Sequence, residues 1–308
     1  MKIILSSLLS VCLLTTLLFG QSSERPENKK DKTEGLFVTV GHSGTILTSS
    51  DGTSWTERTS GTSMSLRGVT YGNGLFVTVG DRGTILTSSN GISWTQRTSG
   101  TSDYLYGVTY GNGLFVSVGS KGTILTSSNG NSWTQRTSGT SEYLQGVTYG
   151  NGLFVTVGDD GILTSSDGTT WTQQRNTGTS KFLYYVTYGN GLFVSVGYPS
   201  IILTSSNGTS WTQQRTSVTS YYLDGVIYGN GLFVSVGEEG IILTSSDGTS
   251  WTKRTSGTTK YLFRVTYGNG LFVTVGEEGI ILTSSDGISW NRRTSGTSET
   301  LSGITYSQ

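Results

Sequence analysis

Short runs rich in valine, threonine, isoleucine and aromatic residues alternate with glycine-rich polar turns from residue 35 onward. Within residues 68–100 this pattern predicts four short strands: Gly68 to Tyr71, Leu75 to Val79, Thr84 to Thr87, and Trp94 to Arg97. An Asn-Gly or Asp-Gly pair precedes each fourth strand, and such pairs favour tight hairpin turns with positive φ. No segment after residue 34 has helical periodicity, so we predict an all-β domain.

The same pattern recurs at intervals of 38 to 40 residues, which identifies seven copies of one unit. Each copy contains the segment Gly-Leu-Phe-Val and a single tryptophan. The seven tryptophans are Trp55, Trp94, Trp133, Trp171, Trp211, Trp251 and Trp290. Four-stranded units of about 40 residues, repeated four to eight times, are typical of β-propeller blades.

The two ends of the repeat array complement each other. The first copy begins at its second strand, with Gly35-Leu36-Phe37, and the chain ends with Leu301 to Tyr306, which matches the missing first strand. We therefore predict that residues 35–308 form a seven-bladed β-propeller of four-stranded antiparallel blades. The C-terminal strand is expected to complete the N-terminal blade, because this closure hides edge strands that an open array would expose.

The N-terminal segment has the pattern of a secretory signal peptide over residues 1–20. Met1 and Lys2 give a positive start, an uncharged apolar stretch follows up to Phe19, and residues 21–34 form a polar linker. We expect cleavage near Gly20 and export to the periplasm, the cell surface or the medium. The apolar stretch is shorter than the ~20 residues of a typical membrane span, so we expect no span in the mature chain.

Two alternatives to simple cleavage stay open for this segment. One is a retained membrane anchor. The other is lipidation at Cys12, which follows the loose lipobox Leu9-Ser10-Val11.

Charge and cysteine content exclude several classes of protein. The chain has 20 Lys and Arg against 20 Asp and Glu, so its formal net charge is zero. Nucleic-acid binding needs a concentrated basic surface, which this balance argues against. The only cysteine is Cys12, so an intramolecular disulfide is excluded. We predict no cofactor and no metal.

A Ser-Ser-Asp/Asn-Gly segment precedes the tryptophan of every copy, as in Ser49 to Trp55. This segment resembles the Asp-box, or bacterial neuraminidase repeat, in a variant that lacks one residue between the aspartate and the glycine. Its aspartate position holds Asp51, Asn90, Asn129, Asp167, Asn207, Asp247 and Asp286. The whole repeat region also resembles the photosystem II stability/assembly factor family and exported bacterial repeat propellers. Asp-box propellers include sialidases, sorting receptors and assembly factors, so the resemblance implies the fold and no single activity.

The residues repeated in every copy are interpreted as structural. The aspartate or asparagine of the Asp-box is expected to accept hydrogen bonds from its own hairpin backbone, and the tryptophan to pack between blades. A repeated arginine, such as Arg58, is expected on each outermost strand, where charge blunts an exposed edge.

Sequence differences concentrate in two connections of each copy, the turn between strands two and three and the connection from strand four to the next first strand. Because antiparallel strands alternate in direction, both connections are expected on one face of the ring. Loops on a rigid scaffold often carry recognition. The candidate ligand-binding residues on this face are Arg67, Tyr104, Tyr106, Tyr143, Gln145, Tyr184, Tyr185, Tyr221, Tyr222, Asp224, Tyr261, Phe263 and Arg264.

Aromatic and charged residues around the mouth of the ring's central channel predict a non-catalytic protein that binds a protein partner. We also expect the protein to be a monomer. Binding of a glycan is an alternative. A sialidase-like glycoside hydrolase is a further one, with Glu238 and Glu277 as candidate carboxylates. We assign no catalytic residue, because His42 is the only histidine and the variable arginines come from separate repeats.

Overall fold

The computed structural model describes residues 35–159, 161–174, 182–214 and 221–307. The expected signal peptide, its Cys12 and the linker lie outside the described residues. Within them, 28 strands form seven antiparallel sheets of four strands each. The predicted seven-bladed, all-β propeller is therefore confirmed.

The strands follow the repeat boundaries. In blades 1 to 4 they are β1 (Phe37–Gly41), β2 (Ile46–Ser49), β3 (Thr56–Arg58), β4 (Leu66–Gly72), β5 (Leu75–Gly80), β6 (Ile85–Ser88), β7 (Thr95–Arg97), β8 (Leu105–Gly111), β9 (Leu114–Gly119), β10 (Ile124–Ser127), β11 (Thr134–Arg136), β12 (Leu144–Gly150), β13 (Leu153–Gly158), β14 (Gly161–Ser165) and β15 (Thr172–Gln174). In blades 5 to 7 they are β16 (Phe182–Gly189), β17 (Leu192–Tyr198), β18 (Ile201–Ser205), β19 (Thr212–Gln214), β20 (Leu223–Gly229), β21 (Leu232–Gly237), β22 (Ile242–Ser245), β23 (Thr252–Arg254), β24 (Leu262–Gly268), β25 (Leu271–Gly276), β26 (Ile281–Ser284) and β27 (Asn291–Arg293), with β28 (Leu301–Tyr306) returning to blade 1.

Helical structure in the described residues is limited to single 3-10 turns between the second and third strands of five blades. These are His42–Gly44, Asp81–Gly83, Ser120–Gly122, Glu238–Gly240 and Glu277–Gly279. No helix in the described part of the chain is long and apolar enough to cross a membrane.

The last strand closes the ring. Blade 1 has the strand order β28-β1-β2-β3, and the β1–β28 register places Phe37 opposite Tyr306 and Thr39 opposite Ile304. The first strands of successive blades contact one another around the whole ring, including β24 with β28 and β28 with β4. The seven first strands therefore surround a common axis.

The hydrophobic core is divided into seven clusters, and each cluster lies between two neighbouring blades. Val38 and Val40 of blade 1, for example, pack with Leu66 and Phe76 of blade 2, and Trp94 covers this cluster. The closing seam has the same composition, with Phe37 and Leu301 packed against Val273 and Val275 of blade 7. Strand faces buried against the next blade thus explain why the same apolar positions recur in every copy.

The tight hairpin turn lies at a different pair from the one predicted. Gly72 pairs with Leu75, so Asn73-Gly74 is a two-residue turn with φ of 49° and 73°. The Asp-Gly pair predicted to make such a turn lies in a longer loop between the paired Thr48 and Thr56. In that loop Gly52 has positive φ and Asp51 does not, and the aspartate side chain caps the loop.

Candidate binding face

The two diversified connections lie together on one face, as expected. In each of several blades the backbone N–H of the turn after the second strand donates to the connection that enters the first strand. Asp81 donates to the Ser65 carbonyl at 2.9 Å and Glu277 to the Tyr261 carbonyl at 3.0 Å. We call the surface formed by these turns and connections, including the candidate residues given above, the variable face.

A β-bulge determines which residue of each first strand varies. Leu66 pairs with Gly80 and Gly68 pairs with Val79, which leaves Arg67 without a partner in the ladder. Bulges redirect a side chain away from the regular alternation of a strand. The seven bulge residues are Arg67, Tyr106, Gln145, Tyr184, Asp224, Phe263 and Ser302.

Close approach of the first strands restricts the position after each bulge. A Cβ on Gly68 would lie 2.9 Å from the Tyr106 carbonyl oxygen, and a Cβ on Gly107 would lie 3.0 Å from that of Gln145. Five of the seven blades have glycine here, and two have Tyr185 and Arg264. Each of these two residues has glycine at the equivalent position in both neighbouring blades, so their side chains are accommodated.

Tyr185 and Arg264 meet at the axis of the ring. The Arg264 guanidinium carbon lies 4.6 Å from the centroid of the Tyr185 ring, a cation–π contact. Residues from six blades, including Arg67, Tyr106 and Gly303, line the cavity of about 10 Å³ that remains beside the pair. The axis is therefore nearly filled at this level.

One aromatic group of the variable face spans blades 2 to 4. Tyr104 and Tyr106 stack with ring centroids 6.4 Å apart, and Tyr143 contacts Tyr106 edge-on at 6.2 Å. The Arg67 guanidinium carbon lies 5.8 Å from the Tyr104 centroid and 5.6 Å from the Tyr106 centroid. Arg67 also forms an ion pair with Asp81. Burial raises the pKa of the Tyr106 hydroxyl.

A second aromatic group spans blades 5 and 6. Tyr222 stacks between Tyr184, at 5.9 Å, and Tyr198, at 4.1 Å. Tyr198 was missed as a candidate, although its turn is the only one that contains a proline. Farther round, Tyr261 and Phe263 stack at 4.6 Å.

Asp224 is a nearly buried carboxylate beside these rings, with a side chain 15% exposed. Burial raises its pKa, and the Arg264 charge and a hydrogen bond donated by the Tyr261 hydroxyl act in the opposite direction. Arg264 Nη1 also donates to the Asp224 carbonyl oxygen at 2.6 Å. Burial is the largest cause that raises the pKa of both Tyr184 and Tyr261, and the charge of Asp224 is the second. Both phenols therefore stay neutral and act as hydrogen-bonding groups.

Exposed aromatic side chains are concentrated on the variable face. Tyr104, Tyr143, Phe182 and Tyr221 are 42%, 46%, 49% and 39% exposed. The other exposed large hydrophobic residues among those described are Ile92 and Ile288, which lie in the loops before the tryptophans, on the opposite face. Phe182 was also missed as a candidate.

The carboxylates considered for glycoside hydrolysis have positioning contacts. Glu238 Oε2 accepts a hydrogen bond from the Tyr222 backbone N–H at 3.3 Å, and Glu277 Oε2 accepts one from that of Tyr261 at 3.1 Å. Within the described ranges, no group of three or more His, Cys, Asp or Glu residues is arranged to hold a metal ion.

The aspartate or asparagine of each segment that resembles an Asp-box holds its own loop together. Asp51 Oδ1 accepts hydrogen bonds from the backbone N–H groups of Thr53 and Ser54, both at 2.8 Å. Asn90 Oδ1 makes the same two contacts, so the amide replaces the carboxylate in this function. Equivalent contacts are made by Asn129, Asp167, Asn207, Asp247 and Asp286.

The tryptophans and the outermost-strand arginines of five blades are also structural, and Gln174 and Gln214 take the place of the arginine in blades 4 and 5. Trp55 Nε1 donates to the Gly52 carbonyl at 3.2 Å, and its ring lies 6.4 Å from that of Phe37. Trp94, Trp133, Trp171, Trp211, Trp251 and Trp290 make the same hydrogen bond in their blades. Arg58 Nε donates to Thr48 Oγ1 at 2.8 Å, which ties the outermost strand to its neighbour.

The fold and the face define a seven-bladed propeller with one uniform and one diversified surface, and solved structures share this architecture. YCF48 bound to a D1 peptide matches with a TM-score of 0.65 and 18% identity, over 82% of this chain and 87% of that chain. YCF48 from Cyanidioschyzon merolae matches with a TM-score of 0.63 and 16% identity, over 80% and 90%. Virginiamycin B lyase from Staphylococcus aureus matches with a TM-score of 0.66 and 14% identity, over 74% and 83%.

These identities show a shared fold alone. No protein-family model matches the sequence, and no curated protein matches it.

The four aspartates that cap the loops before the tryptophans should make stability depend on pH. Hydrogen bonds from the backbone of Ser289 and Ile288 lower the pKa of Asp286 to about 2 from an ordinary value of 3.8. The same kinds of contact lower the pKa of Asp51, Asp167 and Asp247. A carboxylate with a lowered pKa stabilises the fold above its unfolded-state pKa, and this contribution is lost as the pH falls through the lowered value.

Replacing all four aspartates by asparagine should therefore reduce the amount of unfolding free energy that is lost when the pH falls from about 5 to about 2.5. Urea denaturation at both pH values measures this. Asn90→Asp, the reverse change in one loop, should increase the loss of unfolding free energy over the same pH range. An identical acid dependence in all three proteins would contradict a capping role for the aspartate charge.

Proposed function

We propose that this chain is an exported, non-catalytic binding protein that recognises a protein partner through the variable face. The observation that carries the proposal is the concentration of exposed aromatic side chains on that face. Rigid aromatic side chains and arginine are enriched where proteins bind one another, because they bury a large area at a small entropic cost. Hydrogen bonds between turns and connections hold these side chains in place before binding.

The likeness to YCF48 supports this class of function in general terms. YCF48 has the same architecture and was solved with a D1 peptide bound, so a propeller of this kind accommodates a peptide ligand. Virginiamycin B lyase shows equally that the architecture hosts an enzyme. We favour binding over hydrolysis because Glu238 and Glu277 already accept backbone hydrogen bonds.

Binding of a glycan is the alternative that the stacked tyrosines favour most, because sugar rings also pack on aromatic faces. Arrays of synthetic peptides and of glycans, probed with residues 21–308, distinguish the two. We expect saturable binding on the peptide array.

The double variant Tyr104→Ala/Tyr143→Ala should reduce peptide binding at least tenfold, because these aromatic side chains are exposed on the variable face. Ile92→Ala/Ile288→Ala removes comparable exposed apolar groups from the opposite face and should leave binding unchanged. Equal losses in the two variants, or signals on the glycan array alone, would contradict the proposal.

Export is the second part of the proposal, and it rests on the residue pattern of positions 1–20. N-terminal sequencing of the protein recovered from a bacterial host should give a chain that begins near Gln21. A mature chain that begins at Cys12 would show lipidation, and one that retains Met1 would contradict cleavage.

A further inference from the structure

The variable face contains one arginine site that the protein fills itself, at the boundary of blades 2 and 3. The guanidinium of Arg67, a bulge residue, lies against Tyr104 and Tyr106 of the next blade. It also pairs with Asp81, which immediately follows the second strand of its own blade. Stacked aromatic rings and a carboxylate thus surround one planar cation.

The boundary of blades 4 and 5 repeats this arrangement without the cation. The bulge residue is Gln145, and its Nε2 lies 3.5 Å from Oδ1 of Asp159, the residue that corresponds to Asp81. Phe182 and Tyr184 occupy the positions of Tyr104 and Tyr106. A carboxylate and two aromatic side chains are therefore retained where the arginine is replaced by a neutral amide.

Among the described residues, Asp159 has no compensating charge. It is partly buried, burial raises its pKa, and the hydrogen bond from Gln145 is the only opposing contact within the described ranges. No ion pair involves Asp159 among the residues that the structure describes, whereas Asp81 pairs with Arg67 and Asp103 with Lys121. A cation placed beside Asp159 would recover the cost of burying its carboxylate.

Among the described residues, carboxylates predominate in this part of the face. The charges of Asp159 and Asp224 both raise the pKa of Tyr184, and the charge of Glu238 raises the pKa of Asp224. Arg264 is the only cation among these contacts, and it lies at the axis against Tyr185. Tyr184 and Tyr222 add stacked ring faces, which also attract cations.

We propose that the site formed by Gln145, Asp159, Phe182 and Tyr184 binds an arginine or lysine side chain of the partner protein, in the place that Arg67 fills within blades 2 and 3. The inference rests on the proposed function, because it names the chemistry of the partner segment on the same face. The partner is expected to have a basic segment that inserts one cationic side chain beside Asp159.

The probe is the peptide acetyl-Gly-Ser-Arg-Ser-Gly-amide, compared with the same peptide containing citrulline, which has the shape of arginine without its charge. Isothermal titration calorimetry on residues 21–308 should detect the arginine peptide at one site, at least tenfold more tightly than the citrulline peptide. Affinity should fall as salt is added, since the contact is electrostatic.

Two variants test the assignment of the site. Gln145→Arg supplies the missing cation from within and should reduce peptide affinity at least tenfold. Gln96→Arg makes the same substitution on an exposed outermost strand and should leave affinity unchanged. Arg67→Gln vacates the site of blades 2 and 3 and should raise the stoichiometry from one peptide to two.

Equal affinity for the two peptides, no detectable binding, or no difference between Gln145→Arg and Gln96→Arg would overturn the inference. Circular dichroism of both variants excludes misfolding as the cause of a loss. The array experiment tests the proposed function separately. If peptides without arginine bind on the array, and if this binding depends on Tyr104 and Tyr143, the result would support a protein-binding face but would refute a basic partner.

Discussion

The close approach of the seven first strands around the axis is the constraint on which the rest of the structure depends. A side chain on Gly146 would place its Cβ 2.9 Å from both the Tyr184 carbonyl oxygen and the Tyr185 Cα. Such contacts are closer than van der Waals packing allows, so most blades accept only glycine there. The bulge immediately before this position directs the preceding side chain onto the variable face. Variation is therefore moved from the axis to one surface.

Farther from the axis, packing between blades also restricts which residues each repeat can contain. Phe76, Val77 and Trp94 have counterparts in every blade because each seam requires the same shapes, including the seam that β28 closes. Hydrogen bonds to the capping aspartates and asparagines hold the loops of the opposite face in one conformation. The side chains of the turn and bulge residues on the variable face have no such repeated task, which leaves them available for recognition.

The repeat period and the complementary chain ends were enough to predict the propeller, its seven blades and its closure, because each is a property of the residue pattern. The grouping of the variable connections on one face followed from strand alternation. Other features depend on contacts between blades that no single repeat contains. The tight turn at Asn73-Gly74, the contact of Tyr185 with Arg264, and the ion-pair position retained without its cation at Gln145 and Asp159 are of this kind.

The adjacent residues Gln145 and Gly146 most directly test the claim that close approach of the first strands restricts the residues at the axis. Gln145 is the bulge residue, and Gly146 lies at the axis. Unfolding free energies of Gln145→Ala and Gly146→Ala, from urea denaturation, give the comparison. We expect Gly146→Ala to cost about 1–3 kcal/mol through overpacking against Tyr185, and Gln145→Ala to change stability by no more than about 0.5 kcal/mol. Equal costs, or a neutral Gly146→Ala, would contradict the account.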